Sequence, residues 1–245
     1  MSCKIIPVVD LRNGVAVRAV AGDRANYKQL DNAAFNSNGL CRIIEVLLKL
    51  SRSNTLYVAN LNGIDGDDSY DCILYEIMRK FSKIEIWIDN GFRDLRGLNN
   101  FHKGFSNWCE KKGYSLCSGK NLVPVFGTET IADNSTYKKI FSTLDEAVLS
   151  IDKKNNVILG LVTIDTILGL LPKRVILMNL DKVGTDSGPD INWLKNMTQR
   201  NFKVKFFGAG GLRGREDYEI VARHKAAGWL VGSALFNSMM DFGDE

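Results

Sequence analysis

Two aspartates stand at positions from which they could move protons to and from a substrate. Asp10 follows the apolar run Ile5–Val9, and Asp152 follows the apolar run Ala147–Ile151. Two such carboxylates can act as general base and general acid if one stays ionised and its surroundings keep the other protonated. The alternative interpretation is that each aspartate only forms the turn after a strand.

Glycine-rich turns supply a second kind of chemistry, the binding of an anion. Gly210 and Gly211 follow the apolar run Val204–Phe207, and Gly232 and Ser233 follow the last run. Glycine lets backbone N–H groups approach an anion closely, and helix N-termini favour negative charge. We therefore expect these turns to bind phosphate; the alternative is that their glycines only make tight strand-to-helix turns.

Eight apolar runs alternate with segments of helical periodicity. The runs are Ile5–Val9, Leu56–Ala59, Ile84–Ile88, Leu122–Val125, Ala147–Ile151, Val175–Met178, Val204–Phe207 and Trp229–Val231. The helix-like segments are Leu40–Leu50, Cys72–Phe81, Ile191–Met197 and Tyr218–His224. Continuous apolarity is typical of parallel strands buried on both faces. The pattern predicts an α/β fold, a single (β/α)8 TIM barrel over residues 1–245; a doubly wound open sheet is the alternative.

The fifth strand of this barrel has two candidates. Ala147–Ile151 could continue a helix from Tyr137, in which case Val157–Ile164 would be the strand. We favour Ala147–Ile151, because the polar stretch 153–156 after it is a plausible turn and Pro172 then ends a short helix. Asp94–Lys120 is interpreted as a long loop region that contains His102.

The barrel would bring the polar strand ends together at one face. Active sites of such barrels lie at the carboxyl ends of the strands, where Asp10 and Asp152 would face each other from strands one and five. Asn60 and Asn179 follow strands two and six at the same face. Arg18 could cover a phosphorylated ligand from a mobile loop, or could be an ordinary surface arginine.

A short internal repeat supports a barrel made of two halves. Asn60-Leu61-Asn62 lies 119 residues before Asn179-Leu180-Asp181, Gly91-Phe92-Arg93 lies 120 residues before Gly211-Leu212-Arg213, and Gly127-Thr128 lies 105 residues before Gly232-Ser233. These matches predict half-barrels of about 1–143 and 144–245. They also predict a second phosphate site, at Gly91, Gly127 and Thr128, and hence a ligand with a phosphate at each end.

Composition excludes several classes of protein. The 245 residues are 45% hydrophobic, and the net charge of +4 is spread along the chain, which suits a small anionic metabolite better than nucleic acid. The absence of a long apolar run argues against a membrane span, and the early charged residue in MSCKIIPVVD argues against a signal peptide, so we expect a cytoplasmic protein. Five scattered cysteines and two histidines predict no metal site and reduced thiols. The sequence is compatible with a homo- or hetero-oligomer and does not predict the oligomeric state.

The order of these motifs resembles the HisA/HisF family of histidine biosynthesis. The motifs that carry the resemblance are Ile6–Leu11 with Val17-Arg18 and Gly22-Asp23, Asp89–Arg93, Val125–Thr128, Leu149–Asp152, Leu180–Pro189, Gly210-Gly211 and Val231–Leu235. The resemblance implies a half-barrel-duplicated TIM fold, a bisphosphorylated ligand and no cofactor. HisA converts an aminoaldose to an aminoketose by an Amadori rearrangement. Carried over, Asp10 would be the base that moves the proton at the sugar C2, and Asp152 the acid that opens the ribose ring.

The family also implies the binding residues, and this chain departs from it at several of them. One phosphate would lie at Gly91, Gly127 and Thr128, and the other at Gly210, Gly211, Gly232 and Ser233, with Thr185 in the loop after strand six. Val183 occupies the place of an aspartate in that loop, and Asn60 and Asn62 replace aspartates after strand two. Only 27 residues separate Asp152 from Asn179, against 50 between Asp10 and Asn60, so the loop after strand five is short.

With these departures, the sequence resembles a HisA-like group of proteins from methanogens and methylotrophs. That group is associated with one-carbon coenzyme biosynthesis. Three functions follow as hypotheses. The first is a HisA-like isomerase of a phosphorylated aminosugar, and the second is a related enzyme acting on another phosphorylated precursor of a coenzyme. The third is a non-catalytic subunit that binds a phosphorylated ligand.

Overall fold

A computed structural model describes residues 3–30, 39–115 and 117–237. Its strands are β1 (Lys4–Arg12), β2 (Val15–Arg18), β3 (Lys28–Gln29), β4 (Thr55–Asn60), β5 (Glu85–Asp89), β6 (Leu122–Gly127), β7 (Val148–Lys154), β8 (Val157–Ile158), β9 (Arg174–Asn179), β10 (Lys205–Ala209) and β11 (Gly228–Val231). Eight of them pair in parallel in the order β1, β4, β5, β6, β7, β9, β10, β11. Because β11 pairs with β1, with Ile5 opposite Trp229, the sheet closes. The predicted TIM barrel is confirmed, and the open sheet is excluded.

Helices connect the strands and cover the outside of the barrel. They are α1 (Gly39–Ser51), α2 (Leu61–Ile64), α3 (Asp71–Lys80), α4 (Leu95–Lys111), α5 (Asn134–Thr143), α6 (Ile164–Gly169), α7 (Ile191–Arg200), α8 (Arg215–Arg223) and α9 (Ser233–Phe236). The preferred fifth strand is confirmed, because Ala147–Ile151 overlaps β7. The rival segment forms only the short strand β8, which turns back antiparallel onto β7 with Ile158 opposite Lys153.

Alternating side chains along each strand separate two apolar cores. In β5, Ile86 and Ile88 point outward to the layer under the helices, whereas Trp87 points into the barrel. In β10, Phe207 points inward and meets Trp87 edge to face, with 4.8 Å between the ring centroids. Since successive strand residues face opposite sides, the residue two after Trp87, which is Asp89, also faces inward. The apolar floor therefore fixes which side chains reach the mouth.

Two expectations about the segment after β5 are wrong. Residues 95–111 form the long helix α4 rather than a loop, and His102 lies within it. Glycines obscured the helical pattern, and Gly104 is needed for packing, since a Cβ there would lie 2.2 Å from the Tyr75 hydroxyl. Cys109 and Cys117 form a disulfide, although reduced thiols were expected; the turn after α4 brings their Cα atoms to 6.4 Å. Cys3, Cys41 and Cys72 are free.

Candidate active site

Three aspartates reach the cavity at the carboxyl ends of the barrel strands. Asp10, Asp89 and Asp152 come from β1, β5 and β7, and all three line the cavity. On their strands, they face the barrel interior on the same side as Ile6, Trp87 and Val148, respectively. In the ring of eight strands, β1 and β7 are opposite, and β5 stands midway between them. The arrangement surrounds one side of the cavity with carboxylates.

Asp10 is partly buried and has no side-chain hydrogen bond to another described residue. Burial and the negative charge of Asp89 together raise the pKa of Asp10 to about 7, against the opposing positive charge of Arg24. A carboxylate that titrates near neutral pH and is not held by the protein is suited to exchange a proton with a ligand.

Asp152 is buried and is held on both oxygens. The Ser150 hydroxyl donates to Oδ1 at 2.7 Å, and the Glu129 backbone N–H donates to Oδ2 at 3.3 Å. Burial and the charge of Asp89 nevertheless raise the pKa of Asp152 to about 7, against these hydrogen bonds. The Thr128 hydroxyl accepts the Asp152 backbone N–H at 3.0 Å, which fixes the position of the strand end. Asp152 is thus rigidly placed and titrates in the same range as Asp10.

Asp89 is the third member of the group and is 7% exposed. It accepts the Tyr57 hydroxyl at 3.0 Å on Oδ2 and the Gly91 backbone N–H at 3.2 Å on Oδ1. Burial raises the pKa of Asp89 to about 6, and the two hydrogen bonds oppose that rise. Asp89 is therefore ionised at neutral pH, and its charge resists the ionisation of Asp10 and Asp152.

An arginine from the segment after β2 faces the acidic side. Arg24 Nη2 lies 2.7 Å from Glu129 Oε2, and Arg24 Nη1 lies 3.3 Å from Asp65 Oδ1. Arg24 and Glu129 both line the cavity, as does Tyr27. Burial and nearby acidic groups, Asp10 among them, raise the pKa of Tyr27 to about 12. The phenol is therefore neutral and can donate a hydrogen bond.

Glycine turns line the other side of the cavity. Gly210 and Gly211 have φ angles of +93° and +79°, a region that side chains other than glycine rarely adopt. A Cβ on Gly211 would lie 2.2 Å from the Gly188 carbonyl oxygen. In the described parts of the chain, no hydrogen bond occupies the backbone N–H groups of Gly211, Ser233 and Ala234. These donors are available to an anion.

Segments from three strands meet over the cavity. The Ala21 N–H donates to the Val183 carbonyl oxygen at 2.7 Å, and Gly184 packs against Ala19 so closely that a Cβ would lie 1.9 Å from the Ala19 oxygen. Lys154, at the end of β7, donates to the Gly22 carbonyl oxygen at 3.1 Å. The segment after β2 is thus fastened to the ends of β7 and β9, although the loop after β7 is short.

Comparison with known proteins fits this geometry. The family model for histidine biosynthesis proteins matches residues 4–241. The chain belongs to the HisA/HisF family. An uncharacterized protein of Methanocaldococcus jannaschii is 26% identical over 241 residues, covering 97% of this chain and 95% of that protein.

Two further relatives of the family are isomerases. The 1-(5-phosphoribosyl)-5-((5-phosphoribosylamino)methylideneamino) imidazole-4-carboxamide isomerase of Listeria monocytogenes is 22% identical, covering 98% of this chain and 96% of that enzyme. The isomerase of the same name from Lachnoclostridium phytofermentans is 23% identical, covering 97% and 95%. The chain is therefore HisA-like over its whole matched length.

The residues expected to bind substrate divide into two groups. Those that line the cavity with the two catalytic candidates are Arg18, Thr185, Gly210, Gly211, Gly232 and Ser233. Those that do not are Asn60, Gly91, Gly127, Thr128 and Asn179. Asn60 and Asn179 are buried and use their side-chain N–H groups to bind Asn90 and Asp190, at 2.6 and 2.7 Å. Gly91 lies in a separate depression between α3 and α4.

Sequence reasoning missed Asp89, Tyr57, Arg24 and Glu129. Asp89 and Glu129 were visible only as parts of glycine-containing motifs, and Tyr57 only as part of an apolar run. The strand alternation that carries Trp87 inward was the available signal for Asp89.

The described residues contain neither a metal-binding cluster nor a membrane-spanning helix. Within residues 3–30, 39–115 and 117–237, no group of three or more His, Cys, Asp or Glu side chains is arranged to hold a metal ion. Among the helices in those ranges, none combines the length and apolarity needed to cross a membrane.

Proposed function

We propose that this protein is an isomerase that converts a phosphorylated aminoaldose to the corresponding aminoketose by acid/base catalysis. The observation that carries the proposal is the pair Asp10 and Asp152, which line one cavity from opposite strands with pKa values raised to about 7. Carboxyl groups with such values can hold and release protons at neutral pH, as this rearrangement requires. Membership of the HisA/HisF family, which includes named isomerases, supports the same reaction class.

The rearrangement delivers protons to the ring oxygen and to C1 and removes protons from C2 and from the C2 hydroxyl. Asp152 donates its proton to the ring oxygen, the bond from that oxygen to C1 breaks, and the nitrogen lone pair forms the C1–N double bond of an iminium ion. Asp10 then removes the proton from C2, and those electrons form the enolamine. Asp10 returns its proton to C1 while the C2 hydroxyl gives its proton to Asp152, so that the aminoketose forms and both carboxyl groups return to their starting states. No oxidant or reductant enters, so the cycle balances with protons alone.

The surroundings of the two carboxyl groups support this division of roles. Asp152 is anchored by Ser150 and by the Glu129 N–H, so its acidic proton would be presented in a fixed direction. Asp10 carries no competing donor from the described chain, which leaves its oxygens free to approach a C–H bond. The charge of Asp89 favours keeping one proton within the group.

Phosphate would be held at the glycine side. The free N–H groups of Gly211, Ser233 and Ala234 supply neutral donors that do not need to be desolvated as charges. Arg18 lines the same cavity and donates to Asn237 Oδ1 at 2.6 Å, directly after α9, so its positive charge lies close to these donors. Binding energy from the phosphate would then position the sugar over the aspartates.

A simple mixture tests the reaction. Ribose 5-phosphate and a primary amine form a phosphorylated aldosylamine in solution. In D2O, aminoketose formation removes the C2 proton and places a deuterium at C1, and proton NMR detects this exchange. We expect the wild-type protein to accelerate this exchange, and Asp10→Asn and Asp152→Asn each to lower the rate by about 10²–10⁴-fold. Asp165→Asn is the control, since Asp165 is exposed on α6. Equal rates in all four proteins and in buffer would contradict the proposal.

A second experiment separates the histidine pathway from another substrate. Val183 removes a polar group that the family has in the loop after β9, and its side chain lines the cavity without any hydrogen-bonding capacity. We expect the chain to complement a strain lacking HisA poorly, because phosphate binding survives while turnover falls. Full rescue at normal expression would show that the substrate is the histidine intermediate. Failure to rescue, with activity on the aldosylamine, favours a related precursor such as one of coenzyme biosynthesis.

A further inference from the structure

We propose that the active site binds one phosphate, at the β10–β11 side, and that Asp89 and Glu129 close the equivalent position at the β5–β6 side to anions. The inference rests on the proposed function and narrows its substrate to a phosphate monoester whose other end is not anionic. It replaces the expectation of a bisphosphate, which both the internal repeat and the family resemblance suggested.

The repeat identifies the positions that must be compared. With the offset of 120 residues that relates Gly91 to Gly211, Asp89 is the counterpart of Ala209. With the offset of 105 residues that relates Gly127 to Gly232, Glu129 is the counterpart of Ala234. Each carboxylate in the first half-barrel thus stands where the second half-barrel has a methyl group. All four residues line the cavity, so the comparison concerns the ligand-facing surface.

The two halves differ in whether their N–H groups are free. The Gly91 N–H is taken by Asp89 Oδ1 at 3.2 Å, whereas Ala209 offers no acceptor and no described residue takes the Gly211 N–H. In the turn after β6, the Thr128 N–H donates to the Ser150 carbonyl oxygen at 2.8 Å and the Glu129 N–H to Asp152 Oδ2 at 3.3 Å.

The corresponding N–H groups after β11, those of Ser233 and Ala234, have no protein acceptor in the described residues. Only one half-barrel therefore keeps donors for an anion, although both keep the glycines. Gly91 and Gly127 are retained for packing: a Cβ on Gly91 would lie 2.5 Å from the Gly63 oxygen, and one on Gly127 would lie 2.7 Å from Asp152 Oδ2.

Charge acts in the same direction as hydrogen bonding. Asp10, Asp89, Asp152 and Glu129 surround the β5–β6 side, and the cation nearest to them, Arg24, is already paired with Glu129 at 2.7 Å and with Asp65. A phosphate entering there would meet like charges in a partly desolvated site, which disfavours binding strongly. Hydroxyl or amino groups of a ligand would instead find acceptors.

Phosphate counting tests the inference. Equilibrium dialysis with radiolabelled inorganic phosphate should saturate at one phosphate per wild-type chain. Asp89→Ala combined with Glu129→Ala should bind two, because the change removes two negative charges, frees the Gly91 N–H and leaves Arg24 paired with Asp65 alone. The second phosphate should bind more weakly than the first, since only the Gly91 N–H becomes free while the N–H groups of residues 128 and 129 stay bound to Ser150 and Asp152. Glu110→Ala combined with Asp165→Ala removes the same charge at exposed positions and should still bind one.

Two further proteins make the result specific. Asp89→Asn removes the charge but keeps an oxygen that accepts the Gly91 N–H, so it should bind one phosphate. Ser233→Asp places a negative charge among the proposed donors, so it should bind none. Wild-type crystals soaked in sulfate give the same answer without any variant: one ion at Gly211 and Ser233.

Each other outcome is decisive. Two phosphates on the wild type, or a sulfate beside Gly91 and Gly127, would overturn the inference and leave the proposed isomerase standing. One phosphate on both the wild type and the double variant would show that Asp89 and Glu129 are not the cause. No phosphate on any protein would remove the anion site itself, and with it the proposed substrate class.

Discussion

Asp89 should set the pH at which Asp10 exchanges its proton, and Asp89→Asn tests this directly. The amide can still accept the Gly91 N–H and can donate to the Tyr57 oxygen, so the change removes the charge with little disturbance of the contacts. The register fixes the separation, because Asp10 pairs with Ala59 and Ala59 pairs with Asp89. Asp10 and Asp89 are therefore two strand spacings, about 10 Å, apart.

That distance gives the size of the effect. At an effective dielectric constant of about 20, two like unit charges about 10 Å apart repel by about 1.7 kcal/mol. This corresponds to a change of about one in pKa. Because the charge of Asp89 contributes to the raised pKa of Asp10, Asp89→Asn should lower the pKa of Asp10 from about 7 toward about 6.

Carbon-13 NMR of labelled aspartate carboxyl groups measures this without any substrate. The resonance of Asp10 is assigned by its loss in Asp10→Asn, and its midpoint is followed from pH 4 to 9. Asp165→Asn removes a charge on the exposed surface and should leave the midpoint unchanged. If Asp89→Asn moves the midpoint by less than about 0.2, or upward, the electrostatic coupling argued from the register is wrong.

Three more outcomes are expected. Ser150→Ala should raise the pKa of Asp152 further above its usual range, by about one, because the hydroxyl that stabilises the carboxylate is lost; the same NMR titration measures it. Asp89→Asn should increase the free energy of unfolding by about 2–3 kcal/mol above pH 6, and this gain should vanish below pH 4. Burial raises the pKa of Asp89 from 3.8 to about 6, so its ionisation destabilises the fold as pH rises through that window. Thermal unfolding measured across pH tests this, and a gain independent of pH would contradict it. Gly211→Ala should destabilise the fold by about 1–3 kcal/mol in urea unfolding, because the φ angle of Gly211 is +79° and the new Cβ would meet the Gly188 oxygen. Gly214→Ala is the control: Gly214 has open space around it, so this change should cost less than about 1 kcal/mol.

The barrel could be predicted from sequence because its signal is local. Each buried parallel strand is a short continuous apolar run, and the glycine turns and the repeat add order to these runs. The position of Asp10 and Asp152 followed from counting strands around a ring. The helix α4 was missed because Gly97 and Gly104 interrupt an otherwise regular pattern, and the need for Gly104 depends on Tyr75, which lies in another helix.

The acidic group at the mouth could not be predicted in the same way. Its members come from four separate segments, and only strand pairing and loop packing bring Asp89 within two strands of Asp10 and place Arg24 beside Glu129. The free N–H groups could not be predicted from sequence either. The glycines are visible in the sequence, but the direction of a side chain two residues away decides whether an acceptor already occupies the glycine N–H. Sequence symmetry therefore overstated the symmetry of the site.

Packing explains where the two half-barrels stayed alike and where they diverged. Trp87 and Phe207 are related by the same offset of 120 residues as Gly91 and Gly211, and they fill the barrel floor against each other. Replacing either would leave a cavity or a clash, so both halves keep large apolar residues there. Two residues further along each strand, at Asp89 and Ala209, the side chain faces the open cavity and little packing opposes a change. A methyl group at this position leaves backbone N–H groups free for an anion, whereas a carboxylate makes the same region acidic. In the proposed isomerase, one barrel would therefore hold phosphate on one side and move protons on the other.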